Sequence, residues 1–183
     1  MILYPTETVY GLGVNPLEDT ELAKLYQIKG RDSAKAVSWL VRNIEDIERY
    51  AVVSPLAKQV VVQFLPGPLT LVLPAQEGDE TLGFRISSDP VAQQLIDKFM
   101  AEHDAPLTCT SANVSGEQTL EHPQAILRQL GDNLDLIDRV IDDGPRVTQP
   151  STVVMVDGDS LTIIREGSIP ADDIRSLALE NNA

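Results

Sequence analysis

The chain has 183 residues, 43% of them hydrophobic and only 4% aromatic, enough for one sizeable core of Val, Leu, Ile and Ala and too short to expect two ordinary domains. Its 14 basic and 28 acidic residues give a net charge of −14, which repels a polyanion over most of the surface and disfavours strong direct nucleic-acid binding. No apolar run approaches the roughly 20 residues of a membrane-spanning helix, and a single cysteine beside two histidines excludes an internal disulfide and a Cys/His zinc cluster.

Residues 1–4 read as a buried strand, which Pro5 stops before the polar turn Thr6-Glu7-Thr8. The start carries neither a basic leader nor a cleavable apolar region, so the expected compartment is the cytoplasm. Gly11-Leu12-Gly13 is a dinucleotide fingerprint without its third glycine, and its glycines read as turn glycines. Apolar spacing over residues 19–28 predicts a helix capped near Asp19, which delivers Lys29-Gly30-Arg31 at its end. A strand over 36–41, helices over 44–50 and 55–64, and a break at Pro66-Gly67-Pro68 follow.

Strands are predicted over 69–73 and 83–86, the second carrying Arg85. Asp89-Pro90 reads as an N-cap with proline at the first helical position of a helix running to about residue 102. A strand over 107–110 releases the polar loop Ser111-Ala112-Asn113-Val114-Ser115-Gly116. A helix over 122–130 and a strand over 136–141 come next. Strands over 153–156 and 161–164 then flank the hairpin turn signal Asp157-Gly158. A helix over 171–177 and a frayed tail over 180–183 end the chain. Strand and helix alternation with at least one hairpin predicts a mixed sheet covered by helices.

Covalent catalysis finds little support. Gly158-Asp159-Ser160-Leu161 spells an esterase motif but falls on the hairpin, neither histidine lies in a polar motif, and Cys109 reads as a small buried residue. No phosphate-loop motif is present. What remains are hydroxyls and cations at successive strand ends: Thr6 and Thr8, Lys29 and Arg31, Lys35 and Ser38, Arg85, Ser111 and Asn113, Ser151 and Thr152, and Arg165. Brought together, they would form a positively charged cleft suited to a phosphate-bearing small molecule.

The stretches Pro5-Thr6-Glu7-Thr8-Val9-Tyr10-Gly11-Leu12-Gly13, Lys29-Gly30-Arg31, Pro68-Leu69-Thr70-Leu71-Val72, Arg85-Ile86, Thr110-Ser111-Ala112-Asn113-Val114-Ser115-Gly116, Ser151-Thr152-Val153-Val154 and Ile164-Arg165-Glu166-Gly167 resemble, in that order, the YrdC/TsaC family of threonylcarbamoyl-AMP synthases. The resemblance runs from residue 5 to residue 167 and implies a single YrdC-like domain over 1–183. Its implied fold is α+β: three layers, a twisted mixed β-sheet with helices on both sides, and a concave, positively charged cavity. It assigns nucleotide binding to Lys29, Arg31, Ser111, Asn113, Arg165 and Thr81, with Lys29 and Arg31 as the catalytic pair, and threonine binding to Thr8, Arg85 and Ser151. Asp32 replaces the proline that commonly follows Lys-x-Arg, and Lys35-Ala36-Val37 stands where Lys-Pro-Leu is frequent. The family usually carries a helix and a Gly-rich turn ahead of the first strand, whereas this chain begins at that strand, so a shortened or unusual start is expected. The Ser-x-Asn pair argues for the synthase branch over the YciO-like paralogues.

The implied reaction joins L-threonine, bicarbonate or CO2, and ATP carrying Mg2+. The amine of threonine forms an N-carboxylate that attacks the α-phosphate and expels pyrophosphate, and a downstream transferase passes the threonylcarbamoyl group to adenosine 37 of tRNA. Two other classes compete: a YrdC-like module that binds nucleotide or double-stranded RNA without catalysis, and a carbamoyl-adenylate enzyme fed by carbamoyl phosphate, the latter known within much larger chains.

Overall fold

The computed structural model describes residues 1–32, 36–146 and 149–180. Within them, β1 (Ile2–Tyr4), β2 (Gly11–Gly13), β7 (Thr110–Ser111) and β8 (Arg139–Val140) form one sheet, in the order β7-β2-β1-β8. A second sheet contains β3 (Trp39–Leu40), β4 (Leu69–Pro74), β5 (Thr81–Arg85), β6 (Leu107–Thr108), β9 (Thr152–Asp157) and β10 (Ser160–Arg165), in the order β10-β9-β4-β5-β3-β6. Both sheets are mixed: β1 runs parallel to β8, β3 to β5 and β4 to β9, while the remaining neighbours are antiparallel.

The two-residue period of the strands sorts the second sheet into two faces. Leu69, Leu71 and Leu73 of β4, Phe84 of β5, and Val154 and Val156 of β9 are buried in one apolar cluster. The residues between them, among them Thr70, Gly83, Arg85 and Val153, face a cavity. Covering the apolar face is α3 (Pro55–Phe64), whose Leu56, Ala57, Val60 and Val61 recur at helical spacing. Its start is fixed by Ser54, which accepts a hydrogen bond from the Ala57 amide, a cap worth about 1 kcal/mol. Ile174 of α6 (Ala171–Glu180) joins the same cluster. On the first sheet, Leu25 and Ile28 of α1 (Asp19–Lys29) and Ile126 and Leu130 of α5 (Pro123–Leu130) pack with Leu3, Tyr10 and Leu12. The helix α4 (Pro90–His103) lies against Tyr4, Leu40 and Leu107, and the short α2 (Ile44–Glu48) adds Ile47 to the first cluster. Asp89 caps α4 through the amides of Val91 and Ala92, as the Asp-Pro signal predicts.

Four local expectations need correction. Gly11 and Gly13 are not turn glycines: they form β2, because a Cβ on Gly13 would sit 2.6 Å from Leu107 Cδ2 and one on Gly11 would sit 3.1 Å from the Tyr4 ring. The strand over 36–41 is ordered as a ladder only at Trp39–Leu40. The strand over 107–110 divides at Cys109, where the chain leaves β6 in the second sheet and enters β7 in the first. Glu18, not Asp19, stands at the N-cap of α1, and its side chain makes no capping bond. Thr108 ties the sheets at this crossing by donating to Leu12 O and accepting from the Val14 amide, and its own carbonyl accepts from Tyr4 Oη. The Asp157-Gly158 hairpin forms as the sequence predicts, with Gly158 at φ 56° and Asp157 paired to Ser160. Residues 181–183 of the predicted tail lie outside the described residues.

Candidate functional site

Where the two sheets meet, a cavity of about 500 Å3 opens between the β1–β2 turn, the Arg31 strand approach, β4, β5, the β6–β7 crossing and β9–β10. Arg31, Thr81, Arg85, Ser111, Ser151 and Arg165 all line it. Three arginines and no carboxylate are among the lining residues described, in a chain whose net charge is −14.

Arg85 ends β5 and is almost wholly buried, at 4% exposure. Its Nη2 donates to Thr8 Oγ1 at 2.6 Å and lies 3.1 Å from Glu7 Oε1, while its buried Nε has no hydrogen-bond partner among the described residues. The acceptors come from a tight hydroxyl turn. Thr6 Oγ1 donates to Val9 O and accepts from the amides of Thr8 and Val9, so the hydrogen bond between the Thr6 and Thr8 hydroxyls is donated by Thr8. Burial pushes the Glu7 carboxyl up, but the Arg85 guanidinium and the Ser87 hydroxyl outweigh it and hold the group below the usual glutamate range. Arg165 donates to Ser151 O at 2.7 Å, and the Ser151 hydroxyl pairs with Thr70 at 2.9 Å. Burial, with Arg85 nearby, lowers the Arg165 guanidinium from its ordinary value.

Gly30 explains how adjacent cations take different stations. With φ at 55° it reverses the chain after α1, its amide and that of Arg31 closing on Gln27 O and Tyr26 O. Arg31 thereby reaches the cavity, donating to Ala36 O at 2.9 Å and leaving its buried Nε without a hydrogen-bond partner among the described residues. Lys29 turns inward and stands behind the cavity wall, its Nζ donating to Ser111 O at 2.5 Å and Asn113 O at 3.0 Å. The Ser115 amide returns a bond to Lys29 O. Burial, assisted by the Arg31 charge, pulls the Lys29 amine down to about 8. An ammonium has three donors, so one remains beyond these two carbonyls. Asn113 is held behind Ser111: Oδ1 accepts from Ser111 Oγ at 2.5 Å, and Nδ2 donates to Val114 O and Glu117 O.

Of the residues expected at the site, Lys29, Asn113 and Thr8 thus buttress lining residues and are not themselves part of the described lining, and Lys35 lies outside the described residues. Four participants were not singled out for the site from the sequence. Glu7 sits inside a stretch read for its hydroxyls, Cys109 lines the cavity although it read only as a buried residue, and Arg146 donates to Thr6 O, Asp89 and Asp143. Ser87, two residues beyond the end of β5, donates to Glu7 and carried no local signal in the sequence. Among the described residues no group of three or more His, Cys, Asp or Glu is placed to hold a metal ion, and no helix is long and apolar enough to cross a membrane.

The Sua5/YciO/YrdC family, described as telomere recombination, matches residues 1–167. A Methanocaldococcus jannaschii protein provisionally named threonylcarbamoyl-AMP synthase is 36% identical over 177 residues, which cover 93% of this chain and 81% of that protein. A threonylcarbamoyl-AMP synthase of Vibrio cholerae is 32% identical over 91% of this chain and 90% of its own length. The crystal structure of Sua5 from P. abyssi complexed with L-threonine superposes with a TM-score of 0.83 at 27% identity, covering 96% of this chain but 53% of that one, so the chain spans about half of that longer relative. The matched residues, the identities and the shared architecture lead to one conclusion: the chain belongs to the Sua5/YciO/YrdC family.

Proposed function

We propose that this chain, acting as a single YrdC-like domain, is an L-threonylcarbamoyladenylate synthase that joins L-threonine, bicarbonate or CO2, and ATP, releasing pyrophosphate. The observation that carries the reading is three arginines, Arg31, Arg85 and Arg165, on one cavity that holds no carboxylate among its described lining residues. Clustered guanidinium groups repel one another, and an anionic substrate offsets that repulsion and accepts their hydrogen bonds. Relatives named as threonylcarbamoyl-AMP synthases, and a relative seen with L-threonine, supply the chemistry that fits such a cavity.

In this reading Arg85, set by Thr8, takes the threonine carboxylate, and the Ser151 hydroxyl beside Thr70 borders the amino acid. Arg31 and Arg165 face the phosphates, Thr81 stands at the exposed rim, and Ser111 with Asn113 orients the nucleotide from the loop that Lys29 braces. The third Lys29 N–H adds positive charge on the same side. Magnesium arrives with ATP as part of that substrate. The N-carboxylate of threonine and the α-phosphate are both anionic, so catalysis here is neutralisation and in-line positioning by cations, with no protein nucleophile. The product is a mixed anhydride and requires a downstream transferase that places the threonylcarbamoyl group on adenosine 37 of tRNA; a cytoplasmic setting suits that hand-over.

Mass spectrometry of reactions containing purified protein, ATP, bicarbonate and threonine tests the reading. Threonylcarbamoyl-AMP should form, and serine in place of threonine should give markedly less adenylate. ATP binding with no adenylate would reduce the chain to a nucleotide-binding module.

A further inference from the structure

Glu7 is a partly buried carboxylate to which the proposed reaction gives no role. Its Oε2 accepts from the Ser87 hydroxyl, and its buried Oε1 lies 3.1 Å from Arg85 Nη2 with no hydrogen bond completed to it. The arrangement is locally determined. Arg85 at the end of β5 and Ser87 two residues beyond it both meet Glu7, so one short stretch supplies the cation that attracts Glu7 and the hydroxyl that holds it. Glu7 and Thr8 are adjacent in the hydroxyl turn, so both acceptors that engage Arg85 Nη2 come from one dipeptide. The guanidinium is planar, and fixing one of its nitrogens between two acceptors fixes the direction of the others. Arg85 lines the cavity, and its buried Nε has no hydrogen-bond partner among the described residues.

We infer that Glu7 is a positioning residue: held by Ser87, it fixes the plane of Arg85 so that the guanidinium on the cavity wall is presented to the carboxylate of an amino-acid substrate. The inference rests on the assignment of threonine to this cavity. It differs from simple charge balance, in which Glu7 would only neutralise Arg85 and compete with the substrate carboxylate. The two roles have opposite signs: an orienting Glu7 tightens amino-acid binding, and a merely neutralising Glu7 weakens it.

Threonine binding by calorimetry and steady-state kinetics on wild type, Glu7→Gln and Ser87→Ala decide between them. Glu7→Gln keeps the size and removes the charge. It should raise the Kd and KM for threonine about tenfold, as expected for loss of a close ion-pair partner, with ATP affinity and the kcat at saturating threonine within about twofold of wild type. Ser87→Ala, which leaves both charges in place and frees the Glu7 rotamer, should shift threonine affinity in the same direction by about threefold. If Glu7→Gln does not fold, Ser87→Ala decides alone. Tighter threonine binding, or unchanged threonine affinity with only a smaller active fraction, overturns the assignment. A wild type that makes no adenylate and binds no threonine instead removes the functional reading beneath it, which separates the two failures.

Discussion

Arg85 Nη2 donates to Thr8 Oγ1 at 2.6 Å, joining the end of β5 to a turn 77 residues earlier in the chain. Each group makes the other useful: the hydroxyl orients a buried cation, and the cation gives a buried hydroxyl its acceptor role. Arg85→Ala should weaken threonine binding by about tenfold to a hundredfold, the range for a hydrogen bond to a charged group, while leaving ATP affinity nearly unchanged. Thr8→Val should move it in the same direction by about tenfold. Titration calorimetry with each substrate separately checks both.

Lys29 supplies a pH-dependent signature. Burial lowers its amine to about 8, below the value of about 10.4 for an unperturbed lysine. Between those values the unfolded chain holds more protons than the folded one, so stability from this group rises with pH across that window and is lost as pH falls through about 8. Urea unfolding from pH 7 to 10.5 should show that rise in the wild type and a flatter profile in Lys29→Met. The positive charge behind Ser111 fades over the same interval, so ATP binding should weaken above about pH 8 in the wild type but show no such step in Lys29→Arg.

Gly13 packs tightly where the two sheets meet. A Cβ there would meet Leu107 Cδ2 at 2.6 Å, Leu107 Cγ at 2.7 Å and Tyr4 Cε1 at 3.0 Å. Gly13→Ala should therefore cost about 1–3 kcal/mol by overpacking, measured by urea denaturation. Because the clash is mostly with one side chain, Gly13→Ala combined with Leu107→Ala should cost less than the sum of the two single variants.

The helices were legible because their boundaries are written in side chains: Ser54 and Asp89 accept the amides that start α3 and α4, and apolar residues recur on one face. The hairpin at Gly158 was legible for a similar local reason. β2 was not, because Gly11 and Gly13 are small for the sake of the Tyr4 ring and Leu107, which are partners chosen by the fold and not by neighbours in sequence. The same limit applies to the cavity. Motif residues such as Arg85 and Ser151 stand out from their surroundings, whereas Lys29 and Asn113 could be named but not placed behind the wall, since their partners are carbonyls brought in by the Ser111 loop. Arg146 carries no local pattern, and its meaning lies in Thr6, Asp89 and Tyr10, all distant in sequence.

Arg146 closes the network outside the cavity. Its Nε donates to Thr6 O, its Nη2 to Asp89 and Asp143, and its guanidinium lies 5.8 Å from the Tyr10 ring centroid. Arg146→Ala leaves Asp89 short of a partner and should cost about 2 kcal/mol, seen as a lower Tm. Arg146→Lys keeps the charge but not the fork, and should recover less than half of the loss.

Pyrophosphate release from ATP, followed with threonine and bicarbonate supplied separately and together, tests the central claim most directly. A cavity that holds the amino acid against the nucleotide predicts release only when both are present, and its near-complete loss in Arg31→Ala. Release that proceeds equally without threonine, or that survives Arg31→Ala at wild-type rate, would contradict it.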